Sequence, residues 1–208
     1  MALLINIEGI DGSGKSTLAA GLSAALGATL TTEPTRGPYG TLLRKAFAQG
    51  RRMSREDERR MFEDDRRHHM ASFVRVRLAA GETIVSDRSY YSSAAYQGTT
   101  EASAIAIVRD NEVFSVRPDV VLFLDIPAPV ALNRIQARGV GFTAMENLDN
   151  LEACERRYDA IWSTPDLMEG LRFVRLDAMA PVETVLRDAL DAVRSYTGAR
   201  VTRRDESR

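Results

Sequence analysis

The chain has 208 residues, of which 44% are hydrophobic and 27% charged, enough for one α/β domain with a full core. A formal net charge of −1 gives no general electrostatic case for binding nucleic acid or an anionic membrane. The one cysteine, Cys154, cannot close an intramolecular disulfide and reads as a small buried apolar residue, which suits a reducing cytoplasm.

The opening "MALLINIEGI" turns polar too soon for a signal peptide or a membrane span, and no later stretch reaches ~20 apolar residues. A soluble cytoplasmic protein is expected. Within that opening, residues 3–7 ("LLINI") form the first predicted strand. Directly after it, Gly9-Ile10-Asp11-Gly12-Ser13-Gly14-Lys15-Ser16 fits G-x-x-x-x-G-K-[ST] at every fixed position. Backbone N–H groups can surround a polyphosphate only where side chains leave room, so the spacing asks for Gly9, Gly12 and Gly14. The predicted helix 15–26 presents its free N–H groups and positive dipole end to the same anion. Lys15 is placed to reach the β/γ-phosphates of ATP and the Ser16 hydroxyl to ligate Mg²⁺, with Ser13 and Thr17 beside them.

Further along, residues 28–32, 83–87, 120–126 and 171–176 read as strands. Helical patterns fall between and after them, at roughly 54–80, 101–114, 128–138, 147–162 and 182–196. Most of the apolar runs are continuous, as in a parallel sheet covered on both faces. The alternation predicts an α/β P-loop fold with a five-stranded parallel sheet flanked by helices. One domain spanning 1–197 is expected, with a flap at about 138–147 ("ARGVGFTAMEN" and its edge) and a charged, disordered tail over 198–208.

A phosphate cradle fits ATPases, GTPases and small kinases alike. A base-reading N-K-x-D is excluded because Lys15 and Lys45 are the only lysines. The run "VVLFLDIPAPV" ends in Asp125-Ile126-Pro127 with no following catalytic glutamate, which points to transfer onto a bound acceptor. Asp125 itself reads as a strand-end residue close to the cradle. His68 and His69 are adjacent on a predicted helix and point apart, which argues for structural or exposed roles over a metal pair.

With "TEPTRGPYGTLLR" (32–44), "MFEDDRRHH" (61–69), "SDRSYYSSAAYQG" (86–98) and "RPDVVLFLDIPAPVALNRIQARG" (117–139), the chain resembles the thymidylate kinase family. The run D-R-x-x-x-S-x-x-A-Y-Q-G, from Asp87 through Ser92 to Gly98, is its most specific motif. The resemblance implies transfer of the ATP γ-phosphoryl to dTMP, with Mg²⁺, in a homodimer built through helices beside the sheet. It places Phe62 on the thymine face, Arg66 at its O4 edge, Gln97 at N3 and Tyr96 by the deoxyribose. Arg88 grips the acceptor phosphate, Asp87 lies near Mg²⁺, and Asp11 meets the 3′-hydroxyl. Glu33 and Arg44 line the acceptor side, as Ser92 does from the D-R run. Spacing agrees for one pair: Phe62 and Arg66 are four residues apart, so a helix projects both from one face.

Three positions depart from the family's pattern. Gly12 and the flap "GVGFTAMEN" carry no arginine for the transferring phosphoryl, which leaves Arg138 at the flap's edge; Thr32 precedes Glu33-Pro34; and Ser89 follows Asp87-Arg88. Two alternatives stay open: the same fold acting on dUMP or another deoxynucleotide, and a non-catalytic nucleotide-binding regulator.

Overall fold

The computed structural model describes residues 2–49, 53–139 and 146–205, with side chains followed as far as residue 198. Five strands, β1 (Leu4–Glu8), β2 (Thr29–Thr32), β3 (Ile84–Asp87), β4 (Val120–Asp125) and β5 (Arg172–Asp177), form one sheet in the order β2-β3-β1-β4-β5. Every neighbouring pair is parallel, with Ile7 opposite Asp87 on one side and opposite Leu122 on the other. The three central strands are buried on both faces, which is why their sequences do not alternate apolar with exposed polar residues; the polar ones within them, such as Asn6 and Ser86, are buried too. β2 and β5 form the edges and are only partly covered. With β1 at the centre, the two halves of the chain diverge from it, and a crevice opens at the carboxyl ends of the strands.

Helices α1 (Lys15–Leu26), α2 (Pro38–Ala48) and α3 (Arg55–His69) follow the first two strands. A π-helical turn at Met70–Val74 joins α3 to the short α4 (Arg75–Ala79), so the helix expected at 54–80 is present with one irregular turn inside it. Then come α5 (Tyr90–Gln97), α6 (Glu101–Glu112), α7 (Ala128–Ala137), α8 (Leu148–Trp162), α9 (Pro165–Met168) and α10 (Val182–Asp205). Local chemistry sets several of the ends. Ser54 Oγ accepts the Asp57 N–H at 3.1 Å, three acids follow in the first turn of α3, and two arginines and two histidines close it. Thr100 and Ser103 cap α6 reciprocally, and Gly27 ends α1 in the left-handed region at φ 59°.

The expected strands and long helices all appear, and apart from the end of α10 their ends shift by no more than a residue or two. α2, α5 and α9 add to them. α5 has no polar face for periodicity to detect, because seven of its eight residues are buried. α10 continues to Asp205, past residue 196 where its pattern was expected to stop and into the charged tail. No proline follows to halt it, and Gly198 alone costs a helix only about 1 kcal/mol. The flap expected at 138–147 lies mostly outside the described residues.

Segment 33–40, which leads to α2, is packed backbone to backbone: a Cβ on Gly40 would stand 2.1 Å from Thr35 O and 2.6 Å from Thr35 N. Gly40→Ala is therefore expected to destabilise the protein by about 1–3 kcal/mol, read as a lower denaturant midpoint. An unchanged midpoint would mean that the helix start does not sit against Thr35.

Candidate active site

The loop from Gly9 to Gly14 leaves the carboxyl end of β1 and feeds α1, whose N-cap is Gly14 at φ 97°. Gly12, at φ 84°, has no room for a side chain, since a Cβ there would meet Ala131 O at 2.4 Å. Lys15 is buried, and its Nζ donates to Ile10 O at 2.7 Å and lies 3.9 Å from Asp11 Oδ1. Burial, helped by the Arg88 guanidinium, brings the Lys15 ammonium down to about 8, against the pull of Asp11, Asp87 and Glu8. Ser16 and Thr17 open α1 on its exposed side. Ser16 Oγ donates to Asp87 Oδ2 at 2.6 Å, which joins the P-loop to the end of β3.

Asp87 Oδ1 and Ser13 Oγ are buried, with no hydrogen-bond partner among the described residues. An orphaned carboxylate oxygen beside a serine hydroxyl and a buried lysine fits Mg²⁺ held with a polyphosphate. Mg²⁺ keeps waters and substrate oxygens and needs few protein ligands. Ser16 and Asp87 are thus the side chains that could hold it. Asp125 takes no part, because its carboxylate is half exposed and pairs with Arg175 at 3.1 Å. Asp125 is nonetheless the strand-end residue expected close to the cradle, closing β4 and lining one cavity with Ile10 of the P-loop.

Arg88 follows Asp87 in the left-handed region, at φ 79°, its N–H bonded to Ile7 O and its carbonyl accepting from Ser86 Oγ at 2.7 Å. A non-glycine residue held there is costly and is kept by surrounding bonds. The turn aims the guanidinium back over the P-loop. It pairs with Asp11, donates to Ser92 Oγ at 3.3 Å and lies 5.3 Å from the Tyr96 ring centroid. Burial opposes it, but Arg88 and Lys15 hold the Asp11 carboxyl down to about 2. The Asp11 N–H donates to Tyr96 Oη at 2.8 Å. Lys15, Asp11, Arg88, Ser92 and Tyr96 therefore form one connected cluster.

Ser92 also brings in a residue that the motifs did not single out. Glu8, the last residue of β1, is fully buried and accepts from Ser89 Oγ at 2.6 Å, Ser92 Oγ at 2.6 Å and Tyr158 Oη at 2.9 Å. Burial pushes its carboxyl above the usual range, against the three hydroxyl donors. Its signal was a lone carboxylate inside an apolar strand, which demands partners.

The acceptor-side residues gather on the β2–β3 side of the crevice. Arg66, 1% exposed, donates to Glu33 Oε2 at 2.8 Å, Asn111 Oδ1 at 2.6 Å and Ser93 Oγ at 2.7 Å. Glu33 also meets His69 Nδ1 at 3.1 Å, and His69 Nε2 reaches Thr31 Oγ1 at 2.8 Å. Burial raises the Glu33 carboxyl, but Arg66 and His69 prevail and hold it low. The histidine pair thus divides as expected, with His68 outward and His69 inward. Asn111 and His69 were missed as site-wall residues because the partners that bind them into the wall lie 36 to 45 positions away in sequence. Arg44 bonds the carbonyls of Pro34 and Thr35, and Asp65 holds the Thr35 N–H at 2.7 Å. Phe62 is half-buried, 6.1 Å from the Phe47 ring. Gln97 Nε2 donates to Glu58 Oε1 at 3.0 Å, and Gln97 Oε1 is buried without a partner among the described residues. Arg138, more than half exposed, pairs with Glu146 at 3.2 Å.

Arg88 thus joins the P-loop, through Asp11, to α5, through Ser92, and the last residue of α5, Gln97, bonds Glu58 one turn before Phe62 on α3. Known proteins resemble the chain over most of its length. Residues 7–189 match the family model described as thymidylate kinase. The thymidylate kinase of Xanthomonas campestris pv. campestris is 42% identical over 192 residues, covering 90% of this chain and 81% of that protein. That of Xylella fastidiosa is 39% identical over 196 residues, covering 92% and 86%. A match that runs from the P-loop through the Asp87-Arg88 turn to the last helix takes in every wall of the crevice, and the chain belongs to the thymidylate kinase family.

Proposed function

We propose that the protein transfers the γ-phosphoryl group of ATP to dTMP, giving ADP and dTDP, in the cytoplasm. The observation that carries this reading is the placement of Arg88. It pairs with Asp11 of the P-loop and donates to Ser92 of α5, the helix that ends in Gln97.

The triphosphate lies along the backbone N–H groups of residues 9–16, with Lys15 on its β- and γ-phosphates. Phe62 faces the base, Tyr96 the sugar and Arg88 the acceptor phosphate. The bond from the γ-phosphorus to the β,γ-bridging oxygen breaks as an oxygen of the acceptor phosphate bonds to the same phosphorus. ADP keeps the bridging oxygen. Such a transition state is loose and spreads charge over equatorial oxygens, so catalysis is positioning plus cationic stabilisation. Lys15 and Arg88 supply that charge from the protein. Ser16 and Asp87 would hold Mg²⁺, which when bound would neutralise charge on the phosphate oxygens.

A homodimer goes with this reading. Val76 on α4 and Val113, the C-cap of α6, are 58% and 86% exposed, apolar side chains suited to a covered face. Sedimentation is expected to give about twice the 23.0 kDa chain mass. A monomer at micromolar concentration would remove the dimer from the reading and leave the chemistry standing.

Two further outcomes test the site. ADP release from MgATP is expected to be fast with dTMP and weak with dCMP, dGMP, dAMP and UMP; ATP binding without turnover on any acceptor would favour a regulatory protein. In the free protein Lys15 titrates at about 8, and a bound triphosphate pulls that value up. ATP binding above pH 8 should therefore take up a proton, and its affinity should fall as pH rises. Calorimetry in two buffers of different ionisation enthalpy reads that uptake. Its absence, or its persistence in Lys15→Ala, would detach it from Lys15.

A further inference from the structure

Glu58 has no place in the chemistry above, yet its carboxylate fixes something that the chemistry needs. It stands one helical turn before Phe62 on α3 and reaches across to Gln97 at the end of α5. A side-chain amide has two ends of opposite hydrogen-bonding sense, and the groups around it decide which way it points. A carboxylate offers only lone pairs, so it accepts from the amide nitrogen and repels the amide oxygen. With Gln97 Nε2 on Glu58 Oε1 at 3.0 Å, Gln97 Oε1 is turned the other way. There it is buried, on a residue only 8% exposed, and has no donor among the described residues. A buried acceptor left bare is costly unless a ligand brings its donor.

We propose that Glu58 is a positioning residue that holds Gln97 as a hydrogen-bond acceptor, and so selects a pyrimidine with a donor at N3. The inference rests on the reading above that Gln97 faces the acceptor base. Thymine and uracil carry N3–H and satisfy Gln97 Oε1. Cytosine has a lone pair at N3, which would face the amide oxygen and leave two buried acceptors against each other. Were the amide turned over, the preference would reverse. Glu58 touches no part of the nucleotide; it acts through the orientation of Gln97. Because dTMP and dUMP share the N3 imide, this device excludes the 4-amino pyrimidine and leaves the 5-methyl group to other walls.

The test is steady-state kinetics of the full chain and of Glu58→Gln with dTMP, dUMP and dCMP. Glutamine at position 58 keeps the size of the side chain but offers a donor as well as an acceptor, so nothing forces the amide of Gln97 one way. The expected result is a rise of about tenfold in KM for dTMP and dUMP alike, with kcat and the KM for ATP little changed. The ratio of kcat/KM for dTMP over dCMP should fall by at least about tenfold, because dCMP gains as the others lose. Glu58→Met, which removes the acceptor outright, provides the same comparison if Glu58→Gln does not fold. An unchanged ratio in a variant that still turns over dTMP would overturn the role of Glu58 and leave the acceptor reading intact. So would an equal loss on all three nucleotides, the mark of a merely structural residue. A wild-type protein that ignores dTMP would fail at an earlier step and overturn the acceptor reading together with this one.

Discussion

A carboxylate with no exposed surface sits at the centre of the fold, and three walls of the crevice are tied to it. Glu8 ends the middle strand, and its partners come from the β3–α5 turn, from α5 and from α8. Removing such a group from water is expensive unless its lone pairs are filled, and here Ser89, Ser92 and Tyr158 fill them. None of the three can shift without baring the charge. Ser92 gives its proton to Glu8, which leaves a lone pair for Arg88. The orientation of the central guanidinium is thus set partly from beneath, by a residue it does not touch. The left-handed backbone at Arg88 is maintained by the same turn.

The charges above that support are arranged for ligands that bring more. Lys15 and Arg88 are set against Asp11 and Asp87, so in the protein alone the two cations are largely compensated. Asp11 illustrates the balance, since two neighbouring cations keep its carboxyl at about 2 despite burial. Phosphate groups entering from both sides would compete with Asp11 for the same cations. The site therefore exchanges internal pairs for external ones, and it avoids leaving two bare cations to repel each other across a low-dielectric cleft.

The frame was legible where chemistry is local. The glycine spacing from Gly9 to Gly14 announced the cradle, and the mostly continuous apolar runs, clearest in β4, announced a buried parallel sheet. α5 was not legible as a helix, because "YYSSAAYQ" is buried nearly all round and holds no period. The network around Arg66 was legible only at its named members. Residue 66 lies in "DDRRHH", which reads as a solvated face, yet Asp65, Arg66 and His69 are buried. Their partners come from β2 and the loop after it, from α5 and from α6, and no local pattern reports such convergence. Glu58 is harder still: in "SREDERRMFEDD" it is one acid among several, distinguished only by which side chain α5 brings to it.

What the fold leaves incomplete is as informative as what it satisfies. Ser13 Oγ in the cradle, Asp87 Oδ1 beside Ser16 and Gln97 Oε1 at the far wall are each buried and without a hydrogen-bond partner among the described residues. Bare polar atoms of that kind are uncommon in a settled interior. In the proposed reaction these three would fall at the donor-phosphate, metal and acceptor-base positions. Elsewhere the same crevice spends its donors freely, giving Arg66 three acceptors and Glu8 three hydroxyls. Glu63 Oε1, Ser115 Oγ and Trp162 Nε1 are also buried without a hydrogen-bond partner among the described residues, so the contrast holds between the named supporting residues and the three contact positions rather than across the whole interior. The walls are stiffened so that the few unmet groups stay aimed, and the energy left unclaimed there is available to the nucleotides that complete them.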